Sequence, residues 1–381
     1  MSLKNIVVIT GEASGDAHAG RMITELKLLS SDINVKGIGG SNMREAGAEI
    51  IVDFSELAVM GLIEVIKRYR HIKNIFNLLL EELNTNKPDL LVLVDYPGFN
   101  LKLAKQAKKL GIPVVYYIGP KVWAWRAGRV KTIKRYVDKM MVLFPFEVPI
   151  YENESVPVTC VGHPLVDAVK NKISKKQAKI KVGLKLNRRV IGLFPGSRRS
   201  EIENLLPVML DAAQRIQQRN QNVDIVIALA PGIDETYLNT MLVKSTVPVT
   251  VVKDNFYQLT TACDAIVAAS GTVTLEIALL GVPHFIAYRV SPVSYQVLSR
   301  LVKIPYVGLC NIVTGKAVVL ELLQSEVTAQ RLDEELVTLL ADQNSKVNAE
   351  KIRKQVLSAL GPSGGARNAA HEVISMLDRQ E

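Results

Sequence analysis

Cysteine is scarce: the 381 residues hold only Cys160, Cys263 and Cys310, scattered and without the paired spacing of a zinc site or a disulfide framework. Reduced thiols, no disulfide and no metal are the expectation. Long apolar runs are absent as well. Although 48% of the chain is hydrophobic, no stretch approaches the roughly 18 consecutive apolar residues of a membrane-spanning helix. The chain passes from Lys4 straight into a strand pattern without a secretory-signal pattern, so a cytoplasmic location is expected. There is no convincing Asp-x-Asp metal motif, and no helix-turn-helix, RNP or zinc-finger signature. The formal charge of +10 therefore ranks nucleic acid last among polyanionic partners, behind anionic lipid and phosphorylated substrates.

What the chain does have is two glycine-bearing loops about half its length apart, each leaving a hydrophobic strand and opening a helix. The first is Gly11-Glu12-Ala13-Ser14-Gly15-Asp16 after Asn5 to Thr10; the second is Pro195-Gly196-Ser197-Arg198 after Val190 to Phe194. Glycine permits a tight turn and close approach of a ligand, and the unpaired amides of a helix start favour anions. The first loop lacks dinucleotide spacing. The second adds the guanidinium of Arg198, which suits a phosphate or diphosphate.

The length suits two domains of about 150 to 200 residues each. Strand patterns near 4–10, 89–95, 113–118, 139–143 and 157–161 alternate with helical ones, and a second series follows near 189–194, 223–229, 248–252, 264–268 and 283–287. Such alternation predicts parallel sheets covered by helices on both faces, here two Rossmann-like α/β domains facing an interdomain cleft. Between them lies a lysine-rich stretch after Gly162-His163-Pro164. The expected division is 1–165, 166–350 and a C-terminal helical segment 351–381 that packs back on the N-terminal domain or on another subunit, a homodimer being compatible with the latter.

Ligands of open parallel sheets bind beyond the carboxyl ends of the strands. Asp95 stands at such an end, before Tyr96-Pro97-Gly98, and reads either as a general base for a hydroxyl or as a cap of the next helix. Glu12 and Asp16 either orient a substrate in the same crevice or cap helices. His18 and His163 read as structural. In the second half, Ser270-Gly271-Thr272-Val273-Thr274 opens a helix with hydroxyls suited to phosphate or sugar, and Glu276 stands one turn in, able to accept both hydrogens of a ribose diol. With Gly196, Ser197 and Arg198 they outline a nucleotide-diphosphate pocket.

The segment from Val59 to Leu83 is basic and amphipathic. Leu62, Val65, Ile66, Tyr69, Ile72 and Phe76 recur at helical spacing among Lys67, Arg68, Arg70, His71 and Lys73. Two readings fit it: packing into the core, or contact with an anionic membrane surface.

These loops, together with Gly119-Pro120-Lys121-Val122-Trp123-Ala124-Trp125-Arg126, Leu275-Glu276 and Asn311, resemble the lipid A disaccharide synthase family, glycosyltransferase family 19, in order over essentially the whole chain. The resemblance implies an inverting hexosyltransferase of the two-domain GT-B type acting in lipid A biosynthesis. It would move 2,3-diacylglucosamine from its UDP derivative to the 6-hydroxyl of 2,3-diacylglucosamine 1-phosphate, without a cofactor or metal. It further implies Asp95 as the catalytic carboxylate, Arg198 on the diphosphate, Glu276 on the ribose and Asn311 on the nucleotide side; Glu12 remains either catalytic support beside Asp95 or architecture. Some relatives carry a second acid where this chain has Gly98, so no role of that acid transfers. Because both substrates are acylated, it also implies a peripheral enzyme on the cytoplasmic face of the inner membrane, touching it through the 59–83 segment. The other readings are a UDP-sugar enzyme with one soluble substrate, such as an epimerase, and a non-enzymatic nucleic-acid-binding protein.

Overall fold

The computed structural model describes residues 3–57, 62–124, 128–169, 173–243, 245–291, 295–296 and 304–379, and the side chains of 62–68 fall outside it. The chain divides into two compact units, one made of Met1–Pro164 and Leu360–Glu381, the other of Leu165–Ala359.

Seven strands build the first unit: β1 (Lys4–Thr10), β2 (Ile33–Gly39), β3 (Glu49–Asp53), β4 (Leu90–Val94), β5 (Val114–Tyr117), β6 (Lys139–Val142) and β7 (Val158–Cys160). They lie in the order β3-β2-β1-β4-β5-β6-β7, and all pair parallel. A parallel sheet with helices on both faces buries its middle strands entirely, which is why Leu90–Val94 is an unbroken apolar run with every residue buried. The strand order reverses between β1 and β4. At such a switch point the two connections leave in opposite directions and open a crevice beyond the strand ends.

The second unit repeats the plan. Its strands are β8 (Arg189–Phe194), β9 (Val223–Ala228), β10 (Val249–Val252), β11 (Ala265–Ala269), β12 (His284–Tyr288) and β13 (Glu321–Leu323). The order is β10-β9-β8-β11-β12-β13, again parallel, with the reversal between β8 and β11. Leu193, Leu206, Met209, Ile227 and Val267 are fully buried on one side of this sheet, while Val190, Val226 and Ile266 belong to a second apolar cluster.

The end of the chain divides differently from the expected cut at 350. The helix Ser345–Ala359 buries Ala349 and Val356 within the second unit, and the crossing comes at Ala359 to Leu360. The last helix, Gly365–Asp378, lies in the first unit against Ala13–Leu29. Asn368 Nδ2 donates to the Val161 carbonyl at 2.9 Å, and Lys139 pairs with Glu372 at 3.2 Å.

Helix Leu62–Thr85 covers part of the first sheet. Ile75, Leu79 and Leu83 are buried in the core, and Ile72, Phe76 and Leu80 pack against it. Phe76 meets Phe99 edge-on at 5.4 Å. The periodic stripe through Ile72 and Phe76 is thus a core stripe, which corrects their assignment to a membrane face. Tyr69 is 60% exposed. The side chains of Leu62, Val65 and Ile66 lie outside the described residues.

Candidate active site

Both switch points carry the loops singled out by sequence. In the first unit Thr10 pairs with Val94, so Gly11-Glu12 and Asp95-Tyr96 leave adjacent strand ends side by side. A Cβ on Gly11 would stand 2.2 Å from the Tyr96 ring, a contact only glycine permits. Glu12 is exposed at the N-cap of helix Ala13–Leu29, with no side-chain capping bond.

Asp95 and Tyr96 both have left-handed backbones, with φ of 49° and 46°. Each such non-glycine residue costs about 1–3 kcal/mol, and pairs of them persist only where surrounding contacts enforce them. Here Asn100 Nδ2 donates to the carbonyls of Asp95 (2.8 Å) and Val94 (3.3 Å), and Tyr116 Oη donates to the Asp95 carbonyl at 2.6 Å. The Asp95 amide donates to Tyr117 at 3.1 Å, and Tyr96 Oη to Leu57 at 3.0 Å. The first four bonds hold the main chain of the turn, and the last anchors the Tyr96 ring. The helix Pro97–Lys109 starts from Tyr96 without a side-chain cap, so Asp95 is not spent as its cap. Burial raises the Asp95 pKa above the usual carboxylate value, opposed by the Tyr96 amide and the charge of Lys121. A partly dehydrated carboxylate with a raised pKa is the group general-base chemistry calls for.

Asp16 is different. Buried and in the first turn of its helix, it accepts four hydrogen bonds: from the amides of Gly40 (2.6 Å), Asn42 (3.0 Å) and Met43 (3.2 Å) and from Asn42 Nδ2 (2.9 Å). It caps the helix Ser41–Glu45. His18 lies in the helix Ala13–Leu29, edge-on to Tyr117 at 6.2 Å, and burial first, then Arg21, lowers its pKa to about 4. His163 stacks on Phe144 at 5.0 Å and burial brings it to about 3. Both imidazoles are neutral near pH 7, which fits packing.

One residue escaped the sequence reading. Glu147 follows β6 in Phe144-Pro145-Phe146-Glu147-Val148-Pro149; it is buried, accepts from the Phe144 amide at 3.2 Å, and burial pushes its pKa up to about 7. An acid framed by two aromatics and two prolines at a strand's carboxyl end was the available signal. Trp123 packs edge-on to Phe146 at 5.5 Å. Trp125 and Arg126 lie outside the described residues.

In the second unit a cavity of about 600 Å³ opens at the β8/β11 switch point, lined by Gly196, Ser197, Ser270, Gly271, Thr272 and Glu276 among others. Gly196 has φ of +116°, which turns the chain so that the Ser197 and Arg198 amides precede helix Arg199–Arg219. Arg198 is 79% exposed and pairs with Glu201 at 3.2 Å, whereas Arg199 lies over the Tyr237 ring at 4.7 Å. Ser270 Oγ donates to the Val307 carbonyl at 2.7 Å. Glu276 accepts from Tyr257 Oη at 3.2 Å, and burial raises its pKa.

Thr274 and Asn311 do not join that wall. Thr274 is buried, its hydroxyl donating to Gly271 (2.9 Å) and accepting from the Leu309 amide (3.1 Å). Asn311 is buried too: Nδ2 donates to the Val319 carbonyl and Glu321 Oε1, both at 2.8 Å, and Oδ1 accepts from the Val319 amide at 2.9 Å. Their side chains brace the segment behind Ser270. Among the described residues no group of three or more His, Cys, Asp or Glu is arranged to hold a metal.

The family model for lipid-A-disaccharide synthetases matches residues 6–374, from β1 to the last helix. The chain belongs to the lipid-A-disaccharide synthetase family. It is 46% identical over 378 residues to the lipid-A-disaccharide synthase of Geobacter sulfurreducens, covering 98% of each chain. It is also 40% identical over 380 residues to that of Coxiella burnetii, covering 99% of this chain and 98% of the relative. The fold is that of GT-B glycosyltransferases: the calicheamicin glycosyltransferase CalG4 superposes with a TM-score of 0.60 at 15% identity, covering 100% of this chain and 99% of that one. A putative UDP-N-acetylglucosamine 2-epimerase from Listeria monocytogenes shares the architecture with a TM-score of 0.63 at 12% identity, covering 100% and 97%. Architecture alone spans transferases and epimerases. Sequence kinship separates them, and the chain is a glycosyltransferase. No helix among the described residues is long and apolar enough to cross a membrane.

Proposed function

We propose that the chain transfers 2,3-diacylglucosamine from UDP-2,3-diacylglucosamine to the 6-hydroxyl of 2,3-diacylglucosamine 1-phosphate, inverting the anomeric centre and releasing UDP. The observation that carries this reading is the contrast between unlike switch points: a strained, partly dehydrated carboxylate at one, and at the other a cavity lined by Gly196, Ser197 and Glu276, with the exposed Arg198 next along the loop. Asp95 takes the acceptor's hydroxyl proton as the oxygen attacks the anomeric carbon from the face opposite UDP. The bond from that carbon to the diphosphate breaks, and the Ser197 and Arg198 amides with the Arg198 guanidinium take up the charge on the leaving group. Glu276, already hydrogen-bonded by Tyr257, accepts from the ribose diol. Glu12 stands near Tyr96 on the acceptor side: burial first, and then the Glu12 charge, raise the tyrosine pKa.

The acyl chains of both substrates place the reaction at the cytoplasmic surface of the inner membrane. Exposed Tyr69, Arg70 and Lys73 on helix Leu62–Thr85, with Leu62, Val65 and Ile66 one to two turns before them, form the contact with anionic lipid. UDP release with both lipid substrates tests the reading: turnover requires donor and acceptor together, and turnover of a UDP-hexosamine with no lipid acceptor would refute it. In the same preparation Ile66→Glu reduces flotation with anionic vesicles; unchanged flotation removes the contact from the account.

A further inference from the structure

At the start of helix Arg199–Arg219 one carboxylate already does what a bound phosphate would do. Glu201 Oε2 accepts from the amides of Ser197 (2.9 Å) and Arg198 (3.2 Å), and Oε1 faces Arg198 Nη1 at 3.2 Å. A capping box explains part of this, because a glutamate at the third helical position reaches back to the N-cap amide, here Arg198. It does not explain the rest. The same oxygen also takes the Ser197 amide, outside the helix, and the second oxygen takes the guanidinium. Two main-chain amides and an arginine are the donor set by which helix starts recognise phosphate.

The surroundings fit an anion seat. A Cβ on residue 196 would come 2.4 Å from Glu201 Oε2, so the glycine there admits the carboxylate. Glu201 lines the 600 Å³ cavity and its side chain is 17% exposed. Arg198, at 79% exposure, turns away from its partner at little cost. Arg199 cannot substitute for it while held on Tyr237.

We propose that Glu201 is a positioning residue that keeps the Ser197 and Arg198 donors converged on the diphosphate seat, and that a nucleoside diphosphate binds by displacing its carboxylate from them. The proposal rests on reading the Gly196–Arg198 loop as the donor site. A carboxylate and a diphosphate cannot share these donors, since like charges at this separation repel in a site partly shielded from water. Part of the nucleotide's intrinsic affinity is spent on the exchange, and product UDP leaves as Glu201 returns.

Calorimetric titration of UDP and of uridine into wild type and Glu201→Gln tests it. Glutamine keeps a capping oxygen but no charge, so UDP binds about tenfold more tightly, while uridine, which lacks phosphate, binds as before. UDP affinity unchanged or weakened in Glu201→Gln overturns the proposal, as does equal tightening of uridine. A wild-type protein that binds no UDP would instead overturn the donor-site reading beneath it. Glu201→Ala separates capping from competition. Without ligand its Tm falls, because two amides lose their acceptor, and saturating UDP raises its Tm by more than it raises that of wild type. An equal or smaller rise means Glu201 is a helix cap only.

Discussion

Replacing Asn100 by alanine should loosen the one turn on which the proposed chemistry depends. Two successive left-handed residues, Asp95 and Tyr96, store about 2–6 kcal/mol at about 1–3 kcal/mol each. Asn100 Nδ2 contributes two of the hydrogen bonds that hold the turn, to Asp95 and Val94. At about 0.5–1.5 kcal/mol apiece their loss costs about 1–3 kcal/mol. Truncation strands no buried donor, and the Asn100 Oδ1 it also removes has no hydrogen-bond partner among the described residues. Thermal denaturation should show a Tm lower by roughly 2–10 °C. With Tyr116 Oη left to hold the Asp95 carbonyl, the turn relaxes and the carboxylate shifts. A misplacement near 1 Å costs on the order of 100-fold in kcat. Donor affinity, set in the other unit, stays constant. A lowered Tm with kcat intact would refute the claim that the strained turn exists to aim Asp95, and an unchanged Tm would refute the energetics.

Other consequences are as direct. Glu147 has its pKa raised from 4.5 to about 7, so the folded state holds a proton that the unfolded state gives up above pH 4.5. Its burial is free of charge penalty below that pH and costs stability progressively between 4.5 and 7, on the order of a few kcal/mol by the higher pH. Glu147→Gln should therefore match wild type in Tm at pH 4 and exceed it increasingly up to pH 7; a pH-independent difference would count against this. Gly11→Ala drives a methyl into the Tyr96 ring and should cost about 1–3 kcal/mol of first-unit stability, read as a lower Tm; wild-type stability would show that the ring moves aside freely. Glu276→Ala should weaken UDP binding roughly 10- to 150-fold, the range for losing hydrogen bonds to a charged acceptor, and 2′-deoxy-UDP should lose little further in the variant. Additive losses would place Glu276 away from the ribose.

How much of this was legible beforehand follows from what each residue answers to. Strands such as Leu90–Val94 and Arg189–Phe194 declare themselves because burial on both faces demands continuous apolar sequence. β2, β3 and β13 do not. Lys36 and two glycines interrupt the first, and the other two are short edge strands with acidic ends. That Asp95 ends a strand was readable; that its backbone is left-handed was not, because Asn100 and Tyr116 impose it from elsewhere. Thr274 looked like a ligand contact because hydroxyls at helix starts often are, and Asn311 because the family resemblance implied it. Which partner they take is decided by Leu309, Val319 and Glu321, which only the fold brings near. The stripe through Ile72 and Phe76 was ambiguous in principle, since a core face and a membrane face carry the same periodicity. Phe99 resolved it.

The central claim is that Asp95 is the base and that the donor cavity works independently of it. Steady-state UDP release by Asp95→Asn with both lipid substrates, alongside its dissociation constant for UDP, tests both parts. The account predicts that kcat falls 100- to 10,000-fold, the range for removing a general base, with UDP affinity unchanged. Near-normal kcat in a variant that still binds UDP would contradict it.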